Sequence, residues 1–140
     1  MQVTYLGADN LSPEAFLRIK TVVTQHLPLL PSWLLELVVV CSLDTDASMA
    51  TDTAYSSATL RLGQSHAAQR YDELSLTIIH EFMHVHLAPI MSMVQQARKY
   101  PSSDEQPNDL FDSVLTEKHE RSTQELAHLI LRLTNKRRDA

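Results

Sequence analysis

The residues best suited to catalysis lie in the segment His80-Glu81-Phe82-Met83-His84, which matches the pattern HExxH. On an α-helix, residues four apart lie one turn apart on the same face, so two imidazoles at this spacing can bind the same metal ion. The carboxylate of Glu81 lies next to the first imidazole, where it can take a proton from water beside the metal. The spacing therefore predicts a metal site with His80 and His84 as ligands and Glu81 as general base.

The sequence around the motif favours a metal ion as the partner of these histidines. The stretch LSLTIIHEFMHVHL is apolar on nearly all sides, which predicts a helix inside the domain. Buried histidine and glutamate side chains need partners, because unpaired polar groups are costly away from water. The competing interpretation is a pair of hydrogen-bonded core histidines. His86, two residues after His84, points to another face and is interpreted as a supporting or surface histidine.

A catalytic zinc site needs a third protein ligand and one open position for water. The last predicted helix offers four candidates, Glu117, His119, Glu120 and Glu125. We favour Glu120, because it lies on one line of the helix with Thr123 and Ala127, and a residue as small as Ala127 lets two helices approach closely. His119 lies nearer the middle of the apolar stripe and is the first alternative. Glu117 is the second alternative. It ranks lower because Arg121, one helical turn later, can pair with it on the surface.

A small set of predicted elements must position these residues. We expect strands over residues 2–6, 34–43 and 58–62. We also expect three helices: the first begins at residues 12–14, the second spans residues 72–88 and the third spans residues 110–133. Residues 44–57 and 101–108 are predicted loops, and Pro89 is expected to follow the end of the motif helix. The last helix carries one apolar stripe, formed by Phe111, Leu115, Leu126, Leu129 and Leu133. These elements predict an α+β fold in which a small mixed sheet packs on the motif helix and the C-terminal helix.

Composition limits the classes of protein to consider. The chain has 140 residues, 44% of them hydrophobic and 21% charged, which is typical of one folded domain over residues 1–140. A net charge of −5 argues against a dedicated nucleic-acid binder. No apolar run is long enough for a membrane span and no secretory signal is visible, so we expect a cytoplasmic protein. The single cysteine, Cys41, follows three valines and is interpreted as a small core residue.

Several segments together resemble a known family. They are Tyr55 with Ala58-Thr59-Leu60, the HExxH motif followed by Leu87-Ala88-Pro89, and Glu120 followed by Leu126-Ala127. Over residues 34–133 the chain resembles small metallopeptidase-like proteins encoded by tailed phages and prophages, which have a zincin fold of the gluzincin type. The resemblance implies a zincin-like fold, a glutamate as third zinc ligand on a later helix, here Glu120, and an edge strand above the metal, here residues 58–62. That edge would pair with an extended substrate.

Motif and resemblance together predict a zinc-dependent hydrolase, a metallopeptidase that acts on a peptide or protein in the cytoplasm of a bacterial host. Zn²⁺ would be bound by His80, His84 and Glu120, since two imidazoles and a carboxylate suit this ion. Glu81 would act as base and then as acid to the leaving amine. Candidates for a further donor to the developing oxyanion are Tyr55, Tyr100 and His119.

The alternative function belongs to a different class. The chain could be a phage accessory or assembly protein without protease activity, whose metal site is structural or vestigial. A structural zinc site fills all four positions with protein ligands, and His86 or His119 would then supply the extra one.

Overall fold

The architecture is that of a computed structural model, which describes residues 1–43, 46–98 and 109–138. The strands and helices in chain order are β1 Gln2–Leu6, α1 Pro13–His26, β2 Glu36–Ser42, β3 Ser48–Asp52, β4 Ser57–Gly63, α2 Gln64–Ala67, α3 Tyr71–Arg98 and α4 Asp109–Arg138. Short 3₁₀ turns lie at Ala8–Asn10 and Leu27–Leu29. The loop predicted for residues 101–108 and the side chain of Phe111 lie outside the described part of the chain.

The four strands form one mixed sheet in the order β1-β2-β4-β3. β1 and β4 both pair with β2 in parallel, whereas β3 pairs with β4 antiparallel. The small mixed sheet and the helices packed on it confirm the predicted α+β class. In the described segments, no helix has both the length and the apolar content needed to cross a membrane.

The sequence-based assignment of the edge strand is wrong. Residues 58–62 lie in β4, an interior strand that pairs with β2 on one side and β3 on the other. The edge is β3, within residues 44–57, which the sequence predicts to be a loop. The strand reads SMATD, whose mixture of small and polar residues has little β-propensity. Its strand conformation therefore depends on the ladder with β4, which a local pattern does not reveal.

The core lies between one face of the sheet and the helices α1 and α3. Ser12 caps α1 by accepting a hydrogen bond from the Ala15 N–H, and Pro13 occupies the first helical position, as the sequence predicts. Buried residues from the central strands, including Cys41, meet apolar residues of both helices. Burial also raises the pKa of the Cys41 thiol, which fits the predicted role as a small core residue.

The motif helix α3 is buried through its middle, as predicted, with Ile78, Ile79, Phe82 and Val85 fully inaccessible to water. It does not end before Pro89, however, but continues to Arg98. A proline inside a helix removes one backbone hydrogen bond and strains the preceding turn, at about 3 kcal/mol. The helix is nevertheless continuous through Pro89, and β3 and α4 pack along it.

Helix α4 packs on α3 through small residues. Thr123 and Ala127 are completely buried, as the line through Glu120 predicts, and Ile130 and Leu131 are packed against the core. Three residues of the predicted apolar stripe do not form a buried face, because Leu126, Leu129 and Leu133 are 38–53% exposed, whereas Leu115 is half-buried. The small side chains allow close approach of the two helices, and this contact decides which face of α4 turns inward.

Enlarging the side chain at this contact should destabilise the fold. We expect Ala127→Leu to lower the free energy of unfolding by about 1–3 kcal/mol, because the added atoms have no space between the helices. Leu129→Ala, on the exposed side of the same helix, should change it by less than about 0.5 kcal/mol. Urea unfolding measures both variants. An Ala127→Leu protein as stable as wild type would contradict the described packing.

Candidate metal centre

Helices α3 and α4 bring three potential ligands together. The Nε2 atoms of His80 and His84 are 3.2 Å apart. From α4, the carboxylate of Glu120 places Oε2 3.3 Å from His80 Nε2 and Oε1 3.2 Å from His84 Nε2. The two imidazole nitrogens and both carboxylate oxygens of Glu120 therefore face the same small volume between the helices.

The spacing of the two imidazole nitrogens is comparable with that in a tetrahedral metal site. Ligands bound at about 2.0–2.1 Å to a tetrahedral ion lie about 3.3–3.4 Å from one another, since the edge of a tetrahedron is about 1.6 times its centre-to-corner distance. The His80–His84 separation of 3.2 Å is close to this value, and each of the two nitrogens also has a different oxygen of Glu120 at 3.2–3.3 Å. Glu81 adds a carboxylate, and the ligand atoms of His80, Glu81 and His84 lie within 4.8 Å of one another. The group of His80, Glu81 and His84 could hold a metal ion.

Hydrogen bonds from α4 fix the orientation of both imidazoles. Gln124 Oε1 lies 2.6 Å from His80 Nδ1, and because a carbonyl oxygen only accepts, Nδ1 carries the proton. His84 Nδ1 lies 3.0 Å from His119 Nε2, which accepts when His84 is protonated at Nδ1. Both histidines then present an unprotonated Nε2 to the shared volume. Such supporting hydrogen bonds commonly set the tautomer and direction of metal-ligating histidines.

The electrostatics also favour a cation at this position. Burial lowers the pKa of His84 to about 4, so its imidazole is neutral at pH 7 and free to bind metal. Two nitrogen lone pairs and a carboxylate then face one another at 3.2–3.3 Å, an arrangement that is repulsive without a proton or a cation between them. This donor set fits a divalent metal ion.

Glu81 has the properties of a group that exchanges protons near neutral pH. Its side chain lies inside the domain, with the residue only 6% exposed. Burial is the main reason that the pKa of Glu81 is raised to about 7; the charge of Glu120 adds to the effect and that of His80 opposes it. A carboxyl with this pKa can both accept and donate a proton in the neutral range.

A groove between β3 and α3 opens onto the cluster. A central cavity of about 220 Å³ is lined by Ala47, Ser48, Met49, His80, Glu81, His84 and Glu120. It shares Met49 and His84 with a cavity of about 410 Å³ toward the C-terminal half of α3. On the other side it shares Ala47, His80 and Glu81 with one of about 290 Å³. The three cavities together run along α3 and reach the ligands from solvent.

The alternative ligands have other partners. His119 lies behind His84, bonded to its Nδ1. Glu117 forms an exposed ion pair with Arg121 at 3.1 Å, the surface role that the sequence predicts. His86 Nε2 lies 2.6 Å from the carbonyl oxygen of Leu29, to which it donates, and the residue is exposed, which fits the predicted surface histidine. Of the candidate ligands on α4, the geometry favours Glu120.

Two of the three candidates for an oxyanion donor, Tyr55 and His119, are not supported by their positions. Tyr55 is 80% exposed in the turn between β3 and β4. His119 is engaged with His84. Tyr100 lies outside the described residues.

Sequence reasoning missed three contributors to the site. Gln124 follows Glu120 by four residues, the spacing of the motif histidines, and this signal could have identified it as a partner on the same helical face. Ala47, Ser48 and Met49 line the 220 Å³ cavity, but no sequence pattern indicates this, because their position depends on the pairing of β3. His66, which lines the 290 Å³ cavity, also has no motif around it.

Comparisons of this chain with protein-family models, curated proteins and solved structures found no match. The function is therefore argued from the geometry and chemistry of the site.

Removing the charge of Glu81 should stabilise the metal-free protein in a pH-dependent way. A carboxyl with a pKa of about 7 when folded, against an ordinary 4.5, stabilises the fold below pH 4.5, and this stabilisation is lost as the pH rises through 7. Glu81→Gln lacks this titration. In the presence of chelator, the variant should match wild type near pH 4.5 and become progressively more stable than wild type toward pH 8. A stability difference that does not change with pH would contradict the raised pKa of Glu81.

Proposed function

We propose that this chain is a zinc-dependent hydrolase, and specifically a metallopeptidase. The observation that carries the proposal is the convergence of His80, His84 and Glu120, with mutual distances of 3.2–3.3 Å, beside a water-accessible cavity that also contains Glu81. Two imidazoles, one carboxylate and a fourth position open to solvent are the ligand set of a catalytic zinc ion.

The alternative of a structural site requires a fourth protein ligand. The candidates for that role are His86 and His119, but His86 donates to a backbone carbonyl and His119 bonds the far side of His84. The open cavity and the buried, raised-pKa carboxyl of Glu81 have no use in a purely structural site, so they favour the enzyme over an accessory or assembly protein. A phage or prophage origin and a cytoplasmic location remain proposals that the sequence resemblance supports.

A zinc ion bound by His80, His84 and Glu120 would supply Lewis acidity, which polarises a carbonyl group and lowers the pKa of water. Glu81 accepts a proton from the attacking water, whose oxygen forms a bond to the carbonyl carbon. Glu81 then gives this proton to the amide nitrogen as the C–N bond breaks, which releases a carboxylic acid and an amine. The buried position of Glu81 and its pKa of about 7 suit both transfers.

The groove favours an extended peptide as substrate. β3 is the last strand of the sheet, and its outer edge has no strand partner among the described residues. Met49 and Thr51, which are half-buried on this strand, line the groove beside His84. A peptide added to this edge would pair with the β3 backbone by hydrogen bonds and pass the ligands. The edge function that the resemblance assigns to residues 58–62 is thus proposed for β3.

Zinc binding should depend on the three proposed ligands. Purified wild type should contain about one zinc per chain, whereas His80→Ala or His84→Ala should abolish stoichiometric metal and Glu120→Ala should weaken it. Glu117→Ala is the matched control on α4, because Glu117 pairs only with Arg121 among its described ion-pair contacts. Elemental analysis and competition with a chelator measure the effects. Full zinc content in the double histidine variant would locate the metal elsewhere.

Glu81 should be needed for hydrolysis but not for metal binding. Glu81→Gln keeps the size of the side chain and removes its proton exchange, so it should retain zinc and lose activity by about 10²–10⁴-fold. Digestion of a broad peptide library by the zinc-loaded wild type identifies a substrate, on which both proteins are compared. Equal rates for wild type and variant would exclude Glu81 as the general base.

A further inference from the structure

The cavity of about 290 Å³ beside the metal ligands contains a histidine to which the proposed reaction assigns no role so far. His66 comes from α2, outside the two helices that form the cluster, and lines this cavity together with Gln69, Thr77, His80, Glu81 and Gln124. The ring is half-buried at the end of β4. It therefore shares a water-accessible space with the proposed general base.

The backbone fixes the tautomer of His66. The N–H of Gly63 lies 2.9 Å from His66 Nδ1. A backbone N–H only donates, so Nδ1 must accept and carries no proton. In a neutral imidazole with an unprotonated Nδ1, the proton is on Nε2. His66 therefore has an N–H donor at its outer nitrogen, and the bond at Nδ1 holds the ring in place.

We propose that His66 is a catalytic residue that donates its Nε2–H to the carbonyl oxygen of the scissile bond. The inference rests on the proposed hydrolase function. As the attacking water forms its bond to the carbonyl carbon, negative charge develops on that oxygen, and a donor held in advance stabilises this charge. His66 fills the role that the exposed Tyr55 and the engaged His119 do not.

Two variants separate this role from a structural one. In His66→Asn, the side-chain amide reaches the position of Nδ1, so its oxygen can still accept from Gly63 while the outer donor is lost. In His66→Gln, the amide reaches the position of Nε2, so an N–H donor is retained while the acceptor for Gly63 is lost. A catalytic role makes the asparagine variant the less active of the two. A purely structural role makes the glutamine variant the less active and less stable.

The experiment compares zinc-loaded wild type, both His66 variants and His86→Asn on a peptide found by library digestion. We expect His66→Asn to lower kcat by about 10²–10³-fold, as loss of one oxyanion donor does, with normal zinc content and melting temperature. His66→Gln should lose less than His66→Asn. His86→Asn controls for the loss of a histidine that donates to the backbone away from the groove.

A second readout, independent of activity, is the long-range ¹H–¹⁵N NMR spectrum of the His66 ring at pH 8, which should show protonation at Nε2.

The outcomes distinguish the two proposals. A wild-type protein that cleaves no peptide in the library overturns the hydrolase function and, with it, the role of His66. An active wild type with an equally active His66→Asn overturns the role of His66 alone. A His66 ring protonated at Nδ1, or a glutamine variant that is less active than the asparagine variant, also overturns it.

Discussion

The close contact between α3 and α4 is the interaction on which the site depends. Thr123 and Ala127 are fully buried where the helices meet, and they set Glu120 beside His80 and His84. The same helix supplies the partners that orient both imidazoles. Because the cluster exists only when the helices are docked, the proposed metal binding would be thermodynamically coupled to the docking of α4. A metal ion that binds only the folded chain raises the free energy of unfolding by about 2.7 kcal/mol when the free metal concentration is 100 times the Kd.

The chemistry of the site works against the stability of the metal-free fold. A carboxylate in a buried position and three mutually repulsive acceptors are unfavourable without a cation. In a catalytic site the same features are useful, because Glu81 gains a pKa of about 7 and the ligands are already oriented. The groove along β3 adds the surface on which the proposed peptide substrate would be aligned past these groups. Residues of α3, α4 and β3, which are distant in sequence, therefore surround the same cavity.

Local patterns predicted the parts of the site that local geometry determines. The i,i+4 spacing puts His80 and His84 on the same face of any helix. On α4, the line from Glu120 through Thr123 to Ala127 correctly identified the face that packs against α3. The leucine stripe failed on the same helix, because small residues at a helix contact can outweigh a larger apolar face turned to solvent. The edge strand β3 depends on its pairing with β4, so no spacing in the sequence indicates it.

The zinc K-edge X-ray absorption spectrum of the zinc-loaded protein reports directly on the ligands of the ion. Zinc bound by His80, His84, Glu120 and water should show four nitrogen or oxygen ligands at about 2.0–2.1 Å, with the multiple scattering of two imidazoles and no sulfur. Glu120→Ala should change the carboxylate contribution and leave both imidazoles. A spectrum with three or four imidazoles, or with a sulfur ligand at about 2.3 Å, would contradict a catalytic site made by His80, His84 and Glu120.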